Sequence, residues 1–163
     1  MAEVFVNIDG FPKYQVSNFG KVKNITTDRI LKGSKNNKGY FFVTLSNCED
    51  TSHKLIHRLV ANAFLENPED KKCVDHQDRD RTNNNVNNLR FATYTENNQN
   101  VSIRYNNKSG VIGVSFNTKD KKWRATICVN GNDIYLGSFT EKDDAIRARQ
   151  EAEILHFGEF RST

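Results

Sequence analysis

A chain of 163 residues with 36% hydrophobic and 27% charged side chains holds enough apolar material for small cores and is not a disordered tail. Its 24 Lys and Arg against 20 Asp and Glu give a net charge of +4, which leaves room for a basic face toward a polyanion. The opening MAEVFVNIDG is no secretory leader and no run of about 18 apolar residues exists, so neither export nor membrane insertion is signalled and a soluble, intracellular protein is expected.

From the start to residue 55, short apolar runs alternate with turn residues: Val4-Phe5-Val6, Asp9-Gly10-Phe11-Pro12, Tyr14-Gln15-Val16, Asn18-Phe19-Gly20 and Val22. This pattern predicts strands and hairpins. A basic stretch without acids, Lys32 to Gly39, precedes the strand-like Tyr40-Phe41-Phe42-Val43-Thr44-Leu45, and its Lys35 and Lys38 are candidate phosphate contacts. At His57 the period changes. Leu59, Val60, Ala63 and Phe64 recur at helical spacing until Asn67-Pro68, which predicts one short helix. Cys73-Val74-Asp75-His76, a polar Asn-rich stretch and Leu89-Arg90-Phe91-Ala92-Thr93 then read as strand, long loop, strand. Thr93 or Thr95 is placed to cap a following helix that carries Glu96, Asn97 and Asn98.

Residues 101–108 form a polar, basic linker. Beyond it, Gly113–Phe116, Trp123–Val129 and Ile134–Phe139 predict three strands, with Asn130-Gly131 as a hairpin signal. Thr140 with Asp143 resembles a capping box, and Ala145, Ala148, Ala152 and Leu155 form an apolar stripe. A three-stranded sheet backed by one helix is expected. Period-two alternation turns Trp123, Ala125 and Ile127 toward that helix and Lys122, Arg124, Thr126 and Cys128 to the open face. The three cysteines, Cys48, Cys73 and Cys128, make no CxxC pair, which argues against a disulfide framework and a four-cysteine zinc site; they read as buried or half-buried thiols.

One constellation carries chemistry. Asp75 and His76 adjoin at a strand end, and Asn97 follows on the helix after the second strand. Cutting a phosphodiester requires a base for water, a cation for the charge growing on the phosphate oxygens, and stabilisation of the leaving 3′ oxygen. Histidine can take that proton near neutral pH. Carboxylate and amide oxygens are hard ligands suited to Mg²⁺ or Mn²⁺.

The residues His57-Arg58-Leu59-Val60-Ala61, Val74-Asp75-His76-Gln77-Asp78, Asn83-Asn84, Asn87-Asn88-Leu89-Arg90-Phe91 and Asn97 resemble the HNH (ββα-metal) nucleases, in particular phage and intron-borne homing endonucleases. The resemblance implies His76 as general base, Asp75 and Asn97 as ligands of one divalent ion, and Asn88 as the residue holding the loop that orients the base. Asn98 is the neighbouring candidate for the helix ligand. His57 reads as a packing or hydrogen-bonding histidine, Asp78 as support for the loop or for the ligands around the metal, and Arg79 and Arg81 as contacts to flanking phosphates.

The flanks carry resemblances of their own. Residues 3–24 look like the NUMOD-type segment often joined to such nucleases, with Phe5 in place of its usual leading Trp. Residues 109–160 look like the Apetala/ethylene-response-factor DNA-binding domain, through Gly113-Val114, Lys122-Trp123, Tyr135-Leu136-Gly137-Ser138-Phe139 and Ala145. That implies DNA contacts from Ser115, Asn117, Lys121, Lys122, Arg124, Thr126 and Tyr135. The expected organisation is α+β and modular: a DNA-contacting segment at 1–55, a ββα-metal unit at 56–100, a linker at 101–108 and a DNA-binding domain at 109–163. The expected activity is metal-dependent, site-specific cleavage of double-stranded DNA by a monomer, nicking one strand. The alternative is a catalytically inactive DNA-binding regulator, against which workable residues at all three catalytic positions count.

Overall fold

The computed structural model describes residues 2–47, 51–100, 103 and 105–160, with Glu159 as backbone only; Cys48 and linker residues 101, 102 and 104 lie outside them. The chain divides into two compact units, Met1–Tyr94 and Thr95–Thr163.

In the N-terminal unit the apolar runs become strands, as their alternation predicts. β1 (Phe5–Ile8), β2 (Phe11–Ser17), β3 (Val22–Asn24) and β4 (Arg29–Ile30) form an antiparallel sheet in chain order. β5 (Ser34–Lys35), β6 (Phe41–Ser46) and β7 (Thr51–Leu55) form a second. Val43 and Leu45 of β6 are buried while Thr44 and Ser46 are exposed, the period of two of a strand with one wet face. The helix α1 (Ile56–Phe64) follows β7 directly and stops where Leu65 turns extended, before Asn67-Pro68. Its buried face is Ile56, His57, Val60 and Ala61, and it packs against strands of both sheets and against the ribbon that follows. That ribbon pairs β8 (Cys73–His76) with β9 (Leu89–Ala92), and a short 3-10 turn at Val86–Asn88 leads into β9.

One core joins all of these. Ile8, Val16 and Val22 of the first sheet meet Val43 and Leu45 of the second, Ile56, Val60 and Ala61 of α1, and Val74 and Leu89 of the ribbon. The strand-rich N-terminal segment and the ribbon carrying Asp75-His76 are therefore packed as a single body. Such burial is what stabilises so small a ribbon, since two strands alone are marginal in water.

In the C-terminal unit α2 (Tyr94–Gln99, its first residue in the other unit) carries Glu96, Asn97 and Asn98. β10 (Val114–Asn117), β11 (Lys122–Val129) and β12 (Asn132–Phe139) form an antiparallel sheet in that order, and α3 (Lys142–Phe157) packs on all three. Ala125 and Ile127 are buried and Trp123 half-buried, while Lys122, Arg124 and Cys128 are exposed, as alternation predicts. Thr126 departs from it. The register shifts between Ala125 and Thr126, and Thr126 is half-buried with its amide donating to the Gly113 carbonyl at 2.8 Å. Gly113 stands at φ +77°, and a Cβ there would lie 2.2 Å from the Thr126 carbonyl oxygen, so glycine is required where the two backbones cross.

Two expectations for α3 are corrected. Its N-cap is Glu141, extended and without a side-chain capping bond, so Thr140 and Asp143 do not form a capping box. Leu155 is exposed; the buried face runs through Ala145, Arg149, Ala152, Glu153 and Phe157. The helical repeat that puts Arg149, Glu153 and Phe157 inside turns Leu155 to the far side. Cys128 is likewise exposed where a buried or half-buried thiol is expected, because it stands on the sheet's open face, whereas Cys73 is buried. No helix among the described residues is long and apolar enough to cross a membrane.

Candidate active site

The β8–β9 register sets Asp75 opposite Arg90 and His76 opposite Leu89. Both Asp75 and His76 are buried, at 5% and 4% exposure. Arg90 donates from Nε at 2.9 Å and Nη2 at 2.8 Å to the same oxygen, Oδ2 of Asp75. This orients the carboxylate through one oxygen. Sequence inspection matched Arg90 to a family motif without a role; its partner becomes visible only through the cross-strand register.

The loop between the strands is held by its own amides. Asn88 donates from Nδ2 to Oδ1 of Asp78 at 2.8 Å and to the Asn83 carbonyl at 2.9 Å, while its Oδ1 accepts from the Asp78 amide at 3.0 Å. Its carbonyl accepts from the Gln77 amide at 2.8 Å. Asn83 donates to the other Asp78 oxygen at 2.7 Å. Burial pushes the Asp78 carboxyl up, but the bonds from Asn83, the Asp80 amide and Asn88 outweigh it and hold the group below its ordinary value. One asparagine thus ties both ends of the loop that begins directly after His76.

His76 sits among aromatic rings. His57 meets it edge-on with centroids 5.1 Å apart, Tyr40 lies at 5.9 Å, and Tyr40 and His57 are 4.8 Å apart. Asn84 Oδ1 is 3.4 Å from His76 Nε2. Burial lowers the His76 pKa, opposed by Asn84 and by the carboxylates of Asp78, Asp75 and Asp80. The imidazole is therefore held neutral at physiological pH, the form that can accept a proton. His57 is more extreme: burial, with His76 and Arg58 adding, pushes it down to about 3, and its Nδ1 has no hydrogen-bond partner among the described residues. Tyr40, His57 and Asn84 were not assigned site roles by sequence inspection, since no local pattern announces a ring packed across the core.

Of the candidate phosphate contacts, Lys38 and Arg81 are brought together. Arg81 donates to the Lys38 carbonyl at 2.7 Å and stacks its guanidinium 4.9 Å from the Tyr40 centroid. Lys35 is exposed beside the Phe41 ring, and Arg79 is half-buried at φ +65°. In the C-terminal unit Ser115, Lys121, Lys122, Arg124 and Tyr135 are exposed. Arg124 stacks 5.1 Å from the Tyr135 centroid, and Tyr135 donates to Ser138 at 2.7 Å. Asn117 is half-buried and bonded to Asp120 at 2.7 Å, and Thr126 is drawn toward Gly113; both are less available than their places in the sequence suggest. Asn97 is half-buried on α2 and Asn98 exposed.

Among the described residues no group of three or more His, Cys, Asp or Glu side chains could hold an ion. A divalent ion at Asp75 would thus draw its other ligands from amide, water and phosphate oxygens, a set that suits hard cations. With Oδ2 occupied by Arg90, the carboxylate is pre-oriented for such a ligand role.

Comparison with known proteins agrees. Residues 54–99 match the HNH endonuclease family model, and residues 3–46 match the NUMOD4 motif. An HNH endonuclease of Acanthamoeba polyphaga mimivirus, L247, is 50% identical over 56% of this chain and 24% of its own length. DNA endonuclease I-HmuI of Bacillus phage SP01 is 34% identical over 63% of this chain and 56% of its own length. A solved structure of the HNH homing endonuclease I-HmuI, described by its DNA binding and cleavage, superposes with a TM-score of 0.57 at 26% identity, covering 93% of this chain and 89% of that one. The chain thus spans about a quarter to a half of the length of these curated relatives.

Proposed function

With an HNH endonuclease unit at residues 54–99 behind a NUMOD4 motif at residues 3–46 as the premise, we propose that the protein is a site-specific DNA endonuclease of homing type. It would act inside the cell as a monomer, hydrolysing one phosphodiester bond of double-stranded DNA and so nicking one strand. The observation that carries this reading is the buried Asp75-His76 pair at the end of β8, backed by Arg90 and by the loop that Asn88 ties.

His76, kept neutral by burial, takes a proton from the attacking water as its oxygen bonds to phosphorus; the P–O3′ bond breaks, and the leaving 3′ oxygen takes a proton from solvent, giving a 3′ hydroxyl and a 5′ phosphate. Asn88 holds the loop after His76 in register. HNH endonucleases are divalent-metal enzymes. Here Asp75 and Asn97 would hold one Mg²⁺ or Mn²⁺, which would supply positive charge to the scissile phosphate. Lys35, Lys38, Arg79 and Arg81 lie around the loop and the neighbouring hairpin, where they would grip flanking phosphates. The open face of β10–β12, with Ser115, Asn117, Lys121, Lys122, Arg124, Thr126 and Tyr135, would lie against the duplex, whose major groove admits a β-ribbon.

The test is nicking of supercoiled plasmid by purified protein with Mg²⁺ or Mn²⁺, with and without EDTA. Wild type should nick only with metal. His76→Ala should abolish nicking while leaving DNA affinity within a few fold, because the base acts in the chemical step and not in docking. Equal loss of binding and cutting would make His76 structural.

A further inference from the structure

A turn within the N-terminal motif reaches the residue that touches His76. The turn between β2 and β3 presents Asn18, whose carbonyl accepts from the Val86 amide at 2.9 Å, and Gly20, which faces Asn84. Gly20 stands at φ +83°, and a Cβ there would lie 2.7 Å from the Asn84 Cβ and 3.2 Å from its carbonyl oxygen. The turn is closed by Ser17, fully buried, whose Oγ accepts from the Lys21 amide at 3.0 Å and whose carbonyl accepts from the Gly20 amide at 2.9 Å. The turn is held by its own hydrogen bonds, and Asn84 packs against it.

Asn84 is itself oriented. Its Nδ2 donates to the Thr82 carbonyl at 3.2 Å, which fixes which end of the amide is oxygen, and Oδ1 points to His76 Nε2 at 3.4 Å. An amide oxygen only accepts, so this contact favours a neutral imidazole with its proton on Nε2 and its lone pair on Nδ1. The residue is 7% exposed, so solvent competes little for the contact.

We infer that Asn84 is a positioning residue for His76, fixing the tautomer and ring orientation of the base, and that the Ser17–Gly20 turn of the NUMOD4 motif belongs to the cleavage machinery because it seats Asn84. This rests on His76 as the base. It gives the N-terminal segment a role in the chemical step beyond any grip on DNA. Asn84→Ala should lower the nicking rate at saturating DNA and metal about tenfold, the smaller end of what removing such an orienting partner costs. The KM for DNA and the half-saturating metal concentration should stay unchanged. Gly20→Ala should do the same by displacing Asn84.

The decisive readout is the nitrogen-15 spectrum of His76 in the full chain, assigned among its four histidines by comparison with His76→Ala. Wild type should show a protonated, hydrogen-bonded Nε2 and an unprotonated Nδ1. Asn84→Ala should lose the hydrogen-bonded Nε2–H signal, and Asn84→Asp, which keeps an acceptor, should retain it. An unprotonated Nε2 in wild type would overturn the inference without any variant. So would wild-type cutting by Asn84→Ala while His76→Ala is inactive. Cutting by His76→Ala would instead overturn the base assignment on which the inference stands, whatever the spectrum shows.

Discussion

His57 contributes stability with a definite pH sign. Folded, its pKa is pushed down to about 3 from 6.5, so the unfolded chain binds that proton more readily than the folded one. Stability from this residue is then complete above pH 6.5 and is lost as pH falls toward 3, at up to about 1.4 kcal/mol per pH unit. Hydrogen exchange of the α1 amides should show the unfolding free energy falling through this window, and His57→Phe, which keeps a ring against Tyr40 and His76, should flatten the fall. An equal slope in the variant would assign the proton uptake to other groups. The metal ligand is decided at the same scale. In the proposed site, one carboxylate and one neutral amide would bind metal weakly, so Asn97→Ala should raise the metal concentration for half-maximal nicking while Asn98→Ala should not. If only Asn98→Ala moves the titration, the helix ligand is one residue further on.

Elements were readable from sequence where one rule governs them. Alternation located β6 and β11, helical spacing located α1, and the strand, loop, strand order around Asp75-His76 located the ribbon. What sequence hid were pairings across elements. Arg90 faces Asp75 because of register, and Asn84 faces His76 because a turn 64 residues earlier holds it, neither of which is a local pattern. The charged pair inside α3 was hidden for another reason: no local pattern sets Arg149 and Glu153 apart from the other charged residues of this helix. They are 5% and 6% exposed, with Arg149 bonded to Glu153 Oε1 at 2.9 Å and to the Thr126 carbonyl at 2.7 Å. Glu153→Ala would leave a buried guanidinium without its counter-charge and should cost about 3–5 kcal/mol. The single tryptophan of the chain, Trp123, lies in this unit and should report the shift by fluorescence during denaturant unfolding. An unchanged midpoint would mean that water or a rearranged Glu replaces the pair.

For the whole molecule, each unit has apolar packing of its own. If the sheet of the C-terminal unit holds phosphates, Lys122→Ala and Arg124→Ala should each weaken DNA binding and reduce the log-log salt slope by about 0.9. An unchanged slope in both would move the contacts off that sheet, and a change in preferred site would mean that a base is read. The core shared by β1, β2, β3, β6, α1 and the ribbon has a bearing on protein engineering. A graft of residues 56–100 onto a foreign DNA reader would carry Val74, Leu89 and the inner face of α1 without Val16, Val22, Val43 and Leu45 to cover them. The smallest transplantable piece that keeps this core is therefore a cassette that begins at β1, and libraries that shuffle the front half of this protein would disturb the Asp75-His76 ribbon as well.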